Sequence, residues 1–238
     1  LTVLTPHPCA YLPGRTTTLR AFACGGLDGG IYHDFMDRGF RRSGRMIYQP
    51  VCDRCRACVP IRVPVATFQP DKSQRRCQRR NADLRISVGS PMVTDEKFLL
   101  YRRYLDQWHD RPGDVSDEDE RASFESFLYD SPVDTLEFCY RDGGGALLAV
   151  GIADVCPRSF SSVYFYFDPA HRDRGLGTFG ALHEISWAAS AGIPHYYLGY
   201  WIGDCRKMAY KRNFRPYELL SADGRWDPST VEATPHLG

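Results

Sequence analysis

Val163-Tyr164-Phe165-Tyr166-Phe167-Asp168-Pro169, followed by His171-Arg172-Asp173-Arg174-Gly175-Leu176-Gly177, decides the reading of this chain. The first run is an almost wholly aromatic strand over residues 162–167, and Asp168-Pro169 ends it because proline disfavours continuation. The second is a glycine-containing turn that opens an apolar helix near Leu176. That helix carries Phe179, Leu182, Ile185, Trp187 and Ala189, and Gly192 with Pro194 closes it. A strand that turns sharply into a helix start aims backbone N–H groups and the positive helix end outward together. Such a corner suits a phosphate, or a carbonyl that is gaining negative charge. Farther on, Gly199-Tyr200-Trp201-Ile202-Gly203 leads through Asp204, Cys205 and Arg206 to Lys207-Met208-Ala209-Tyr210-Lys211. Tyrosines, a tryptophan and two lysines beside the turn have the character of an acyl-transfer cleft.

Working outward, the apolar period switches to two upstream of this stretch. Thr135–Arg141 and residues 146–155 read as strands joined by Asp142-Gly143-Gly144-Gly145, a hairpin signal. Residues 195–199 form a further strand. Strand, strand, strand, glycine turn, helix, strand and short helix predict an α/β (α+β) fold on a mixed sheet. Before it, Thr94 caps a helix with Phe98, Tyr101, Leu105 and Trp108 at three- and four-residue spacing. Ser116, followed by acids, starts another helix that reaches Phe127 and Leu128. Residues 73–81 are basic and helical. The first seventy residues are rich in Gly, Pro and Cys, with short strand-like runs at 46–48 and 61–65. The expected division is a Cys-containing N-terminal unit over 1–85, with its basic segment at 72–85, and a catalytic unit over 86–238.

With 238 residues and 43% hydrophobic side chains, the chain can bury one substantial core or two small ones. Its formal net charge of +1 argues against indiscriminate coating of nucleic acid, but the charge is uneven. Lys72, Arg75, Arg76, Arg79, Arg80 and Arg85 face a single acid, Asp83, whereas five acids and no base lie between Asp114 and Glu120. The basic run is either a phosphate-contacting surface or a solvated face. No apolar run approaches the ~20 residues that span a bilayer. The first eight residues lack the positive-then-apolar pattern of a signal peptide. Nine cysteines, mostly in the first third, do not form a secreted disulfide framework. The expectation is a cytoplasmic protein with no membrane partner.

Lys207 and Lys211 stand four apart and would share a helix face, with Tyr210 beside them. Lys207 and Tyr210 are candidate catalytic donors to an oxyanion or a leaving hydroxyl, and Lys211 is a candidate substrate contact. Asp154 ends the apolar strand Val150-Gly151-Ile152-Ala153 and is the candidate general base. No Ser/His/Asp set or Cys/His pair is discernible, so no covalent nucleophile is expected. Cys52, Cys55 and Cys58 have metal-ligand spacing, and Cys9 could complete a four-thiolate site for zinc or an iron–sulfur cluster. Small core residues are the alternative. Arg172 to Gly177 resembles the Arg/Gln-x-x-Gly-x-Gly turn with which GNAT acyltransferases bind a pyrophosphate.

Several separate motifs in order carry a wider resemblance. They are Cys9-Ala-Tyr-Leu-Pro-Gly-Arg15, Gly39-Phe-Arg-Arg-Ser-Gly-Arg45, Tyr48-Gln-Pro50 with the cysteine trio, and Val59-Pro-Ile-Arg62. Ser73-Gln-Arg-Arg76 and Arg79-Arg-Asn81 follow, then residues 161–169, 175–177, 197–202, 207–211 and Phe214-Arg-Pro216. Over nearly its whole length the chain resembles the arginyl-tRNA–protein transferase family, specifically the bacterial branch of aspartate/glutamate leucyltransferases. The resemblance implies a GNAT-like catalytic part that moves an amino acid from aminoacyl-tRNA to a protein N-terminus, marking that protein for degradation. Leucine as the donated residue, and proteins with N-terminal Asp or Glu as acceptors, come from the branch alone. No cofactor is required beyond the aminoacyl-tRNA. Eukaryotic arginyl members carry an early Cys-x-x-Cys pair, and Leu12 stands at its second position here.

On this reading Arg75, Arg76, Arg79 and Arg80 contact tRNA phosphates. Arg45 and Arg62, with Arg42 behind them, meet the acceptor carboxylate. Tyr48, Tyr164, Arg172, Gly175, Leu176, Gly177, Tyr200, Trp201 and Lys211 line the substrate sites. The alternatives are an arginyl transferase, a GNAT acetyltransferase using acetyl-CoA, and a noncatalytic RNA- or metal-binding module.

Overall fold

The computed structural model describes residues 1–108 and 116–229, without the Trp108 side chain. Asp114 of the acidic run therefore lies outside the described residues. Short elements fill the first third: β1 (Thr2–Val3), β2 (His7–Pro8), β3 (Thr16–Thr17), β4 (Leu19–Ala23), helix α1 (Gly29–Asp37), β5 (Arg41–Ser43) and β6 (Met46–Pro50). β1, β4, β6 and β5 pair in that order as a four-stranded sheet, and β2 with β3 forms a ribbon. Asp28 starts α1 by accepting from the Gly30 and Ile31 N–H groups at 2.8 and 3.1 Å. Neither α1 nor β4 stands out in the sequence.

β7 (Val59–Pro64) leads to α2 (Lys72–Arg80), the expected basic helix, which begins with a reciprocal Asp71–Gln74 capping box. β8 (Arg85–Gly89), α3 (Asp95–Trp108) and α4 (Asp117–Phe124) follow. Thr94 and Ser116 cap α3 and α4 as the sequence indicates, and a wider turn over Glu125–Tyr129 continues α4.

The hairpin forms as β9 (Thr135–Arg141) and β10 (Leu147–Cys156), and the aromatic strand as β11 (Ser159–Phe167). α5 (Leu176–Ser190), β12 (His195–Trp201), α6 (Arg206–Ala209), β13 (Glu218–Leu220) and β14 (Trp226–Pro228) complete the described chain. One mixed eight-stranded sheet runs β14-β13-β7-β12-β11-β10-β9-β8. β7 thus sits inside it, between β12 and β13, although the chain reaches it before residue 85. α5 covers one face, where Phe160, Phe179, Leu182, Ile185 and Tyr196 are buried together. α3 and α4 cover the other with Phe98, Tyr101, Phe124, Val150 and Tyr166. Among the described residues no helix is long and apolar enough to cross a membrane.

Candidate active site

The large sheet opens at one point. β11 and β12 run parallel and pair only at Ser159–His195, Phe160–Tyr196 and Ser161–Tyr197. Just beyond, β11 bulges against β10: Ile152 faces Tyr164 and Ala153 faces Ser162, which leaves Val163 unmatched. β12 shifts register against β7 between Tyr197 and Gly199. Bulges bend a strand and increase its twist, so two at the same level drive the neighbours apart. Residues 162–167 of β11 are left without a strand partner on that side. Gly199 takes φ +87°, in the left-handed region open to glycine.

Two cations converge on this opening. Arg41 of β5 donates from Nη2 to the Ser162 carbonyl at 2.6 Å, and its buried Nη1 has no partner among the described residues. Lys211 donates from Nζ to the Tyr200 carbonyl at 2.9 Å. A Cβ on Gly199 would lie 3.5 Å from Lys211 Nζ and 3.7 Å from Arg41 Nε and Nη2. Each cation is only 7% exposed, and no carboxylate pairs with either among the described residues. Burial first, and the Arg41 charge second, hold the Lys211 ammonium down to about 7. Tyr48 and Tyr200 meet as tilted rings beside the pair with centroids 6.4 Å apart, and the Tyr200 hydroxyl is anchored on the Gly39 carbonyl at 2.8 Å. Burial raises both phenols and pushes the nearby Cys58 thiol up to about 12. A cavity of ≈ 790 Å³ adjoins Cys58 and Tyr200, with Arg20, Arg38 and Arg56 also lining it.

Several sequence candidates lie elsewhere. Asp154 is fully buried and accepts from Arg42 Nε (2.8 Å), Arg42 Nη2 (2.7 Å) and Thr135 Oγ1 (2.9 Å). Three accepted bonds and full burial hold it as a structural ion-pair partner, unlike an accessible general base, and Arg42 is not open to a substrate. Arg62 is held by Glu218 (2.6 Å), Asp37 (2.8 Å) and Tyr197 (3.0 Å) and lies over the Trp226 ring. Arg45 pairs with Asp130 at 2.5 Å on the surface. The helix at 206 ends before Lys211, which falls in a 3₁₀ turn over Tyr210–Asn213. Lys207 is therefore exposed while Lys211 is buried, and they do not share a helix face. Trp201 stacks under the Arg212 guanidinium, and Tyr164 packs on Tyr101, Tyr104 and Phe127.

After burial, the nearness of Cys52, Cys9 and Cys55 also raises the Cys58 thiol, but the four are not in ligand geometry. Cys52 exchanges hydrogen bonds with Thr18, Cys55 accepts from Arg15, and among the described residues no three His, Cys, Asp or Glu side chains could share a metal ion. The donor set at Cys9, Cys52, Cys55 and Cys58 does not fit zinc or an iron–sulfur cluster as arranged.

The glycine turn is clasped by α2. The Cys77 thiol lies 3.7 and 3.4 Å from the Arg174 and Gly175 carbonyls, Asn81 Nδ2 donates to Arg174 at 2.9 Å, and Arg80 donates to the Asp173 carbonyl. Gly175 takes φ +69°, and Gly177 has open space around it. The first N–H groups of α5 have no partner within the helix. Arg172 is exposed beside them, and Leu176 points into the core. On the other side, Gln74 Nε2 donates to the Asn213 carbonyl at 3.0 Å, joining α2 to the Lys211 turn. The outer face of α2 shows Arg75, Arg76, Arg79 and Arg80 to solvent, and Arg76 and Arg79 have no hydrogen-bond or ion-pair partner among the described residues.

Sequence reasoning missed Arg41. In a strand, adjacent side chains point to opposite faces, so only one of Arg41 and Arg42 could face the opening, and nothing local says which. It also missed Glu184, a fully buried carboxyl on α5 that accepts from the Tyr196 hydroxyl at 2.5 Å. The one acid in the mostly apolar helix Leu176–Ser190 was the available signal.

Family models described as the N terminus and the C terminus of arginine-tRNA-protein transferase match residues 7–76 and 96–221. An aspartate/glutamate leucyltransferase of Saccharophagus degradans is 41% identical over 217 residues, which cover 91% of each chain. One of Stenotrophomonas maltophilia is 44% identical over 227 residues, covering 92% of this chain and 88% of the relative. Among solved structures, the C-terminal domain assigned to a lysylphosphatidylglycerol synthetase of Agrobacterium fabrum superposes with a TM-score of 0.50 at 15% identity. It covers 87% of this chain and 65% of that one, a likeness of fold alone. The mixed α/β sheet is the fold class that the order of strands, turn and helix predicts, and a GNAT-like part is what the family resemblance implies.

Proposed function

The chain belongs to the arginyl-tRNA–protein transferase family, and from that membership we propose that it transfers leucine from leucyl-tRNA to the N-terminal amine of proteins beginning with Asp or Glu. It is an aminoacyltransferase, and the proteins it marks are candidates for degradation. Charged tRNA is a cytoplasmic molecule, so the same reading puts the enzyme in the cytoplasm.

One observation carries the reading: α2 is bonded to both structures that flank the opening. Through Cys77, Asn81 and Arg80 it holds the glycine turn, and through Gln74 it holds the Lys211 turn. A nucleic acid lying on the arginines of α2 is thereby fixed in place relative to the parted strands. Phosphates of the tRNA end would meet Arg75, Arg76, Arg79 and Arg80, with the terminal nucleotide near Arg172 and the first amides of α5.

The chemistry asks little of the protein beyond placement. The aminoacyl ester is already activated, and an α-amine of pKa near ~8 is neutral in roughly a tenth of molecules at pH 7. The neutral amine attacks the ester carbonyl, the bond to the tRNA 3′ oxygen breaks, and the surplus amine proton ends on that departing oxygen. Holding the two reactants together supplies most of the acceleration. The unpartnered edge of β11 over residues 162–167 offers backbone groups to the substrate and to the oxyanion. Lys207 and Tyr210, on the segment that leads to Lys211, are the side chains proposed for the leaving 3′ hydroxyl.

The test is transfer of radiolabelled leucine or arginine from tRNA to peptides that begin with Asp, Glu, Lys or Ala. Leucine incorporation confined to the Asp and Glu peptides is the expected result. Arginine incorporation would keep the family and overturn the donor, and no incorporation from either active tRNA would overturn the reading.

A further inference from the structure

We propose that Arg41 and Lys211 together form the receptor for the side-chain carboxylate of the acceptor's N-terminal residue. This rests on the transferase reading above, which says that the acceptor begins with Asp or Glu.

Two buried cations side by side without an anion are costly, since each loses its hydration and repels the other. The fold nevertheless brings them together over Gly199, where the absence of a Cβ leaves room between them. Arg41 spends Nη2 on the Ser162 carbonyl, and its buried Nη1 has no partner among the described residues. Among those residues the ammonium of Lys211 has one neutral acceptor, the Tyr200 carbonyl, for its three protons. One carboxylate bridging Nη1 and Nζ would satisfy both groups and neutralise half of the local charge.

The competing arginines are occupied. Arg42 is bound by Asp154, Arg45 by Asp130, and Arg62 by Glu218 and Asp37. The location also suits the reaction, because the pair sits where β11 loses its partner, so an anchored side chain leaves its own α-amine at the open edge. A small planar carboxylate suits two buried cations beside Tyr48 and Tyr200 better than a tRNA phosphate does, which the arginines on the outer face of α2 can meet in solvent.

A consequence follows for protons. Burial and Arg41 favour the neutral form of Lys211 near and above pH 7, and a bound carboxylate favours its charge. Acceptor binding at pH 8 therefore draws a proton to Lys211.

The experiment is calorimetric titration of the wild type, Arg41→Gln and Lys211→Met with peptides beginning with Asp or Asn, in two buffers of different ionisation enthalpy. Leucyl-tRNA affinity is measured in parallel. The proposal predicts that the wild type binds the Asp peptide at least 100-fold tighter than the Asn peptide and takes up a proton. Either substitution should narrow that ratio at least tenfold, Lys211→Met should abolish the uptake, and both should leave leucyl-tRNA affinity within twofold. Equal binding of the two peptides by the wild type overturns it, and that measurement needs no variant to fold. Loss of leucyl-tRNA binding with an unchanged peptide ratio also overturns it and assigns the site to a tRNA phosphate. Acid-selective binding without leucine transfer would support the receptor while sinking the transferase reading.

Discussion

Arg42 Nε and Nη2 donate to the two carboxylate oxygens of Asp154 at 2.8 and 2.7 Å, and neither side chain reaches solvent. The pair ties β5 of the small sheet to β10 of the large one, so it aligns the strand that carries Arg41 with the opening. Removing one member of a buried ion pair strands the other's charge and costs about 3–5 kcal/mol. Asp154→Asn should lower stability by that order in urea unfolding. The folded fraction should retain the pH dependence of leucine transfer, because a fully buried, ion-paired carboxylate is not positioned to take a proton from the acceptor. An acidic limb that vanishes in the variant would restore Asp154 as the base.

Arg76 and Arg79 lie on the outer face of α2 and engage no other group among the described residues. The double variant Arg76→Ala/Arg79→Ala should fold with unchanged stability, since it removes no contact. Its leucyl-tRNA affinity should fall. The slope of log K against log salt should shrink by about 1–2, at roughly 0.7–0.9 per lost phosphate contact. An unchanged slope in filter binding over a salt series would move the tRNA off this face.

Much of the architecture was legible because its signals are local. The Asp142–Gly145 turn, the Thr94 and Ser116 caps and the alternation of β9 and β10 need no tertiary knowledge. β8 was not legible, since Arg-Ile-Ser-Val-Gly at residues 85–89 shows only weak alternation and sits at the sheet edge. The opening itself comes from two bulges at one level, and a bulge is fixed by neighbouring strands rather than by its own residues. That Arg42 turns into a buried ion pair, and that Lys207 and Lys211 do not share a helix face, was hidden for the same reason. In each case the side chain's direction depended on where a distant strand or turn ended. The aromatic strand and glycine turn were readable because their residue types are unusual at that spacing.

Gly180 of α5 lies against Phe165 of β11, and a Cβ there would come within 2.1 Å of the ring at Cε2 and 2.6 Å at Cζ. Alanine is normally the better helix former by about 1 kcal/mol, but here the ring would have to move within a packed layer. Overpacking of this kind costs about 1–3 kcal/mol, so Gly180→Ala should melt lower despite its helical gain. Phe165→Leu added to it should recover part of the loss. A melting temperature for Gly180→Ala at or above wild type would show that Phe165 yields freely.

Glu184 sits fully buried beneath β11, where burial outweighs its hydrogen bonds with Tyr196 and Ser162 and raises its carboxyl to about 7. An unfolded glutamate releases its proton near ~4.3. Between these limits the folded protein holds a proton that the unfolded chain has lost, so stability falls as pH rises through this window. Above pH 7 the folded state carries a buried carboxylate at the full penalty, on the order of 3 kcal/mol. Glu184→Gln keeps an acceptor for Tyr196 and removes the titration. It should match the wild type near pH 4 and exceed it progressively to pH 8 in urea midpoints. A stability difference that is constant with pH would mean that Glu184 stays in one protonation state in the fold.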